Sequence, residues 1–160
     1  MHKFRLILQS MRATDKIDAR ILQALEEDGR ISNLALADRV GLSPSACLRR
    51  VQELERRGVI LGYRARLDPV PAGRGFAVYV AVGLSEHTKD AQEAFEAAMA
   101  EAPEVRECHN VAGVFEYLLR VEVADLAAYK LFHTDRLGTV RHVRSITSYM
   151  VMGSSKDLRG

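Results

Sequence analysis

Apolar residues recur at three- and four-residue steps at Ile17, Ile21, Leu22 and Leu25, which predicts an amphipathic helix over 15–28. Thr14 or Asp15 supplies its N-cap and Gly29 its stop. Ser32 or Asn33 opens a short helix carrying Leu34, Leu36, Ala37 and Val40, closed by Gly41. Ser43-Pro44 opens a third, because a hydroxyl cap before proline at the first helical position satisfies the free amides without losing a needed donor. That helix runs to about Arg57 and ends at Gly58. Val59 to Tyr63 is too short for another helix and reads as a strand or closing segment.

Pro69, Pro71, Gly73 and Gly75 then mark a linker or hinge, and the periodicity changes beyond it. Residues 76–84 alternate as a strand, and 88–102 show Ala91, Phe95, Ala98 and Met99 at helical spacing before Pro103. Residues 105–111 and 115–123 read as strands joined at Ala112-Gly113, 125–137 as a helix with Leu126, Tyr129 and Phe132, and 143–152 as a last strand. The order βαββαβ is the ferredoxin-like arrangement, so the fold class is α+β: a three-helix, winged-helix-like helix-turn-helix domain followed by an αβ sandwich. Its division is an extension over 1–13, the helical domain over 14–63, a hinge over 64–75, the sandwich over 76–153 and a tail over 154–160. Helices cover one sheet face only, and dimerisation is a natural cover for the other.

Composition narrows the class. The chain has 160 residues, 48% of them hydrophobic, enough for one ordinary domain or two small ones. Cys47 and Cys108 are too far apart in sequence for a C-x-x-C pair, so neither a zinc ribbon nor a disulfide framework is indicated, and reduced cytosolic thiols are expected. Arg5 interrupts the apolar run near the start and no small-residue cleavage pattern follows, which argues against a signal peptide; no stretch reaches the length of a membrane span. A cytoplasmic protein is therefore expected, and Met11 competes with Met1 as the true start. The net charge of +2 divides unevenly: residues 1–65 carry 12 Lys/Arg against 8 Asp/Glu, while the remainder is −2. The basic half is the one suited to phosphate.

The motif over 32–58 gives that asymmetry a purpose. A helix-turn-helix needs a small residue where its helices touch and a glycine able to take positive φ in the turn, and Ala37 and Gly41 provide them. On a helical wheel Cys47, Val51 and Leu54 share the inward face of the third helix, while Ser45, Arg49, Gln52 and Arg56 point outward. Arginine pairs bidentately with guanine and glutamine with adenine, so Ser45, Arg49 and Gln52 are candidates for base edges in the major groove. Ser43 at the helix start and Arg50, Arg56, Arg57 and Arg64 are candidates for backbone phosphate. The competing reading has Arg49 and Arg56 paired with Glu53 and Glu55 on an ordinary solvated helix.

Over residues 14–153 the chain resembles the Lrp/AsnC, or feast/famine, family of transcription regulators, through DKIDARILQALEEDGRISN, LADRVGLSPSACLRRVQELERRGVILGY and ECHNVAGVFEYLL. The resemblance implies a non-enzymatic DNA-binding regulator with a hinge strand and an amino-acid-sensing sandwich that forms dimers and often octamers. Its DNA partner would be a double-stranded, pseudo-palindromic operator, and its effector a small amino acid or related metabolite bound between dimers. The effector loop would comprise His109, Asn110, Ala112, Gly113, Val114, Phe115, Glu116 and Tyr117, with His133 and Thr134 contributed from a neighbouring subunit. Where the family usually has Gly-Asp-x-Asp-Tyr, this chain has Gly113-Val114-Phe115-Glu116-Tyr117, which removes one carboxylate and lengthens the other. An ammonium ion could still pair with Glu116, and amides around Gly113 could meet a carboxylate.

Other chemistry finds less support. His109, His133, His142 and Cys108 fit no metal-ligand spacing, and neighbours along a strand point to opposite faces, so neither a metal nor another cofactor is expected. Gly73-Arg74-Gly75 lacks the rest of a dinucleotide loop, and no nucleophile stands beside an identifiable base. Tyr79, Tyr117, Tyr129, Phe95 and Phe115 read as core or interface residues.

Overall fold

The computed structural model describes residues 15–157, in two compact units divided after Ala65. Thr14 as an alternative cap, the extension over 1–13 with both candidate starts, and residues 158–160 of the tail lie outside the described residues.

The first unit contains α1 (Lys16–Glu27), α2 (Asn33–Val40) and α3 (Pro44–Arg56). Each begins at a side-chain cap: Asp15 accepts from the Ile17 and Asp18 amides, Ser32 from Ala35 and Ser43 from Ala46. The caps decide the starts; the stops differ slightly, with α1 ending at Asp28, one residue before the expected Gly29. Gly41 takes φ 77° and ψ 40°, the left-handed conformation that lets α2 break off and α3 cross it. Ile21, Ala24, Leu36, Ala37, Val40, Cys47 and Leu54 form the core, with Val51 partly buried against it.

Residues 59–63 form no strand. The amides of Val59 and Ile60 both turn back to the Leu54 carbonyl, at 2.9 and 3.2 Å, and so close the end of α3 instead of pointing outward to a neighbour. Val59 and Ile60 pack on the helical core, whereas Leu61 is 94% exposed. With its first amides used locally and no strand beside it in this unit, the segment lacks the pairing that stabilises a strand.

The second unit contains β1 (Phe76–Leu84), α4 (Lys89–Ala100), β2 (Val105–Asn110), β3 (Tyr117–Val123), α5 (Leu126–Leu131) and β4 (Val143–Met150). The sheet is antiparallel in the order β2-β3-β1-β4, the expected ferredoxin-like topology. Alternation sets its faces. Val78, Val80, Val82, Leu84, Tyr117, Leu119, Val121 and Val123 pack with Phe95, Met99, Tyr129, Phe132 and Leu137 from the helical side. The register places Tyr79 opposite both Arg120 and Tyr149 on the other face, where no helix of the unit lies.

Two sequence expectations change here. The helix expected over 125–137 breaks after Leu131 into a π-turn, Phe132–Arg136, and a 3-10 turn, Leu137–Thr139. Phe132 and Leu137 are both buried although they are five residues apart, and the Leu137 amide donates to the Phe132 carbonyl. A regular α-helix would rotate them roughly 140° apart, whereas the wider π-turn brings both to the sheet. The third strand begins at Tyr117 instead of 115 and the second ends at Asn110, so the short turn expected at Ala112-Gly113 becomes a six-residue loop over 111–116. The Val111 amide closes it on the Glu116 carbonyl at 2.8 Å, which leaves Val114 at the tip, 99% exposed. The proline- and glycine-rich stretch is a tight turn with Gly73 at φ 68° and the Arg74 amide on the Pro69 carbonyl at 2.7 Å.

Candidate DNA interface and effector loop

In α3 the wheel expectation holds side by side with a redistribution of its arginines. Cys47 and Leu54 are 0% and 1% exposed, whereas Ser45, Arg49, Gln52 and Arg56 are exposed. Burial pushes the Cys47 thiol up, so it behaves as a small apolar side chain with no thiolate character. Asn33 donates its side-chain amide to the Pro44 carbonyl at 2.8 Å, tying the start of α2 to the start of α3. Ser43 and Ser45 hydroxyls lie 3.3 Å apart beside the free amides of that helix start.

Arg50 is turned inward. Its Nη1 lies 2.6 Å from Asp15 Oδ2 and 2.7 Å from Asp18 Oδ1, and these hydrogen bonds, Asp15 first, raise its pKa. Asp18 is only 8% exposed, and Asp15 simultaneously caps α1; the Asp18 amide, then Arg50, hold the Asp15 carboxyl below its usual range. The expected phosphate ligand is therefore a tie between α3 and the start of α1. A wheel places Arg50 at the edge of the outward face and cannot see Asp15 and Asp18, more than thirty residues away.

Arg56 pairs in a fork with Glu53, at 2.9 and 2.6 Å, while remaining 74% exposed at its side chain. That half of the competing intrahelical reading is observed; Arg49 has no hydrogen bond or ion pair with any described residue. Arg57 is half-buried and engaged, and Arg64 is exposed. Arg20 donates to the Arg39 carbonyl at 2.9 Å and Arg39 pairs with Glu27, so these cations serve the junction of α1 and α2.

In the second unit the loop over 111–116 brings some expected effector residues together and removes others. Ala112, Gly113 and Val114 are exposed, and Phe115 is half-buried. Glu116 is fixed by backbone and side chain: its amide donates to the Val82 carbonyl at 3.1 Å, and its Oε2 accepts from the Leu84 amide at 2.7 Å. Tyr117 belongs to the core, 0% exposed, with its ring 4.5 Å from Phe95 and its hydroxyl donating to Glu96 at 2.7 Å. Burial first, then that carboxylate, push the hydroxyl up to about 12, so it stays a neutral donor. His109 pairs with Glu107 at 3.2 Å, and Asn110 lies beside Tyr117. His133 and Thr134 lie elsewhere: His133 is edge-on to Tyr129 and lines an open groove of about 700 Å³ with Leu126, Lys130, Ser148 and Met150. Thr134 is occupied by the Lys130 carbonyl and Asp135.

Sequence reasoning missed Asp15 and Asp18 as partners of Arg50, and His87, whose Nδ1 lies 3.3 Å from Glu116 Oε1. Each joins positions far apart in sequence, for which one sequence carries no local signal. Among the described residues no group of three or more His, Cys, Asp or Glu is placed to hold a metal, and no helix is long and apolar enough to cross a membrane.

Known proteins match both units. Residues 14–60 match a family model described as winged helix-turn-helix DNA-binding, and residues 77–160 match one described as the Lrp/AsnC ligand binding domain. The chain is 43% identical over 143 residues to the leucine-responsive regulatory protein of Salmonella typhimurium, covering 89% of this chain and 87% of that protein. Among solved structures, a transcriptional regulator of Neisseria meningitidis in complex with L-methionine superimposes with a TM-score of 0.87 at 37% identity, covering 91% of this chain and 94% of that one. A feast or famine regulatory protein of Mycobacterium tuberculosis, also complexed with L-methionine, gives 0.80 at 35%, covering 92% and 98%.

Proposed function

The chain belongs to the Lrp/AsnC family of DNA-binding transcription regulators, and from that membership we propose how its own residues carry the work. α3 is the recognition helix. Arg49 reads a base edge in the major groove, supported by Ser45 and Gln52; Ser43, Arg56, Arg57 and Arg64 hold backbone phosphate. The observation that carries this reading is Arg49 itself: a long, exposed donor without a partner among the described residues, on a helix whose opposite face is locked by Cys47 and Leu54. Arg56 keeps a phosphate role because an exposed pair with Glu53 is weak enough to exchange.

The functional unit is a cytoplasmic homodimer, assembling further to an octamer, that presents two such helices to a pseudo-palindromic operator. The hinge over 64–75 links reading head to sandwich. The effector is a small amino acid taken by the loop over 111–116, with Glu116 facing its ammonium; L-methionine, held by two relatives, and L-leucine, named for a third, are the first to test. Tyr117 supports the loop from the core and is not a ligand contact.

The test uses an operator selected by the protein from random duplexes. One bidentate base contact is worth about 1–3 kcal/mol, roughly 5- to 150-fold. Arg49→Ala should lose at least that factor of preference for the selected site over random DNA while circular dichroism stays native. Unchanged preference would overturn the assignment.

A further inference from the structure

The loop over 111–116 contains a single acidic residue, Glu116, and each of its oxygens has a polar neighbour inside the chain. Oε2 is bound by the Leu84 amide at 2.7 Å, and Oε1 lies 3.3 Å from His87 Nδ1. The meeting follows from the sheet. Val82 pairs with Tyr117, so the end of β1 lies beside the start of β3, and the chain leaving β1 passes Glu116 as it turns toward α4. A Cβ at Gly83 would make only ordinary contact with Glu116 Oε2, at 3.6 Å, and would overlap Ser145 Oγ on β4.

The two oxygens differ in what can replace their partners. The Leu84 amide is fixed backbone, bonded to a Glu116 side chain only 20% exposed, whereas the His87 side chain is 75% exposed on a segment without regular structure. The neighbouring ionic groups are committed elsewhere: Glu86 to His142 at 3.5 Å and Lys89 to Glu93 at 3.3 Å. A ligand ammonium approaching Glu116 must therefore use Oε1, the position His87 holds.

We propose that His87 is an affinity-setting residue of the effector site, a built-in rival that stands at Glu116 Oε1 and must be displaced by the ammonium of the incoming amino acid. This rests on the reading of 111–116 as the effector loop. The loss of the carboxylate at Val114 leaves Glu116 as the loop's sole anion, so whatever occupies Oε1 sets the threshold for the ligand. His87 is thus a positioning residue, acting through Glu116.

The test is calorimetric titration of L-methionine and of L-leucine into the full chain, with His87 as wild type, His87→Gln and His87→Lys. An exposed polar contact of this kind supports effects of about 2- to 5-fold. His87→Gln should bind more tightly than wild type by that factor and His87→Lys more weakly, with melting temperatures of the three ligand-free proteins alike. In a Glu116→Gln background all three should bind equally and weakly. If Glu116→Gln abolishes binding while the His87 series binds alike, the rivalry is wrong and the effector loop stands. If Glu116→Gln changes nothing, or neither wild type nor His87→Gln binds either amino acid, both readings fall.

Discussion

Arg50→Ala separates a structural arginine from a DNA-contacting one. In the folded protein one guanidinium nitrogen bridges Asp15 and Asp18, and Asp18 lies at 8% exposure with no other side-chain partner among the described residues. Removing Arg50 leaves that carboxylate poorly hydrated. Breaking a fully buried pair costs about 3–5 kcal/mol, and an exposed pair is worth about 0–1. With side-chain exposures of 31% for Arg50 and 12% for Asp18, the expected loss lies between, at about 1–3 kcal/mol. For a unit of this size each kcal/mol moves the midpoint by about 4–8 °C, so the helical transition should fall by roughly 5–20 °C. Thermal circular dichroism reads that shift, and DNA affinity measured well below it reads the alternative. A phosphate ligand contributes about one unit to the slope of log affinity against log salt, and Arg50→Ala should leave that slope unchanged. An unchanged melting temperature with a shallower salt slope would refute the structural assignment. Asp18→Ala combined with Arg50→Ala should cost less than the two single changes added, since the second change removes the stranded charge.

Three further outcomes follow from the same geometry. Gly83→Ala should cost only about 0.5–1.5 kcal/mol in denaturant unfolding, because the Ser145 Oγ it meets is a side-chain end that can rotate aside, and adding Ser145→Ala should remove that cost; a larger loss that persists in the double variant would mean that the strands themselves had to move. Gly41→Ala, forced to adopt φ 77°, should cost about 1–2 kcal/mol in the helical transition, and no loss would show that the turn relaxes. Asp15, Glu27 and Glu53 all have carboxyls held below their ordinary values, by the Asp18 amide, Arg39 and Arg56 respectively. Their contribution is complete above the ordinary carboxylate range and lost as pH falls through the depressed values, so the helical transition should be flat from pH 7 to about 5 and fall below about 4. A fall already complete by pH 5 would point to other groups.

What the sequence made legible follows from how far each interaction reaches. Capped helix starts were readable because the cap residue and the amides it satisfies lie within three positions: Asp15, Ser32 and Ser43 are where the pattern puts them. Strand β1 was readable for the same reason, since alternation is local. The failures are of another kind. Val114 and Phe115 extend the apolar pattern of β3, yet the chain there leaves the sheet because Glu116 is pinned to Val82 and Leu84, more than thirty residues upstream. Phe132 and Leu137 have no α-helical relation, and only the sheet they cover explains the π-turn that unites them.

The candidate site divides along the same line, and the division bears on how such a regulator works. An outward face on α3 is a property of one helix, and the exposure of Ser45, Arg49 and Gln52 could be read from the wheel alone. Arg50 could not, because its role is decided by a carboxylate on another helix. The proposed effector site asks for convergence of the end of β1 and the loop over 111–116, and here a residue type at one position says little: Glu116 is a free acceptor on paper, whereas in the fold it accepts from the Leu84 amide and has His87 beside its other oxygen. A substitution in the loop therefore cannot be judged by the loop's own composition. Changing aspartate to glutamate adds one methylene of reach, and what that reach touches is set by the chain after β1. If Glu116 meets the ammonium as proposed, effector affinity in this chain should depend on 83–87 as well as on 111–116, and it can change at His87 without any change in the loop.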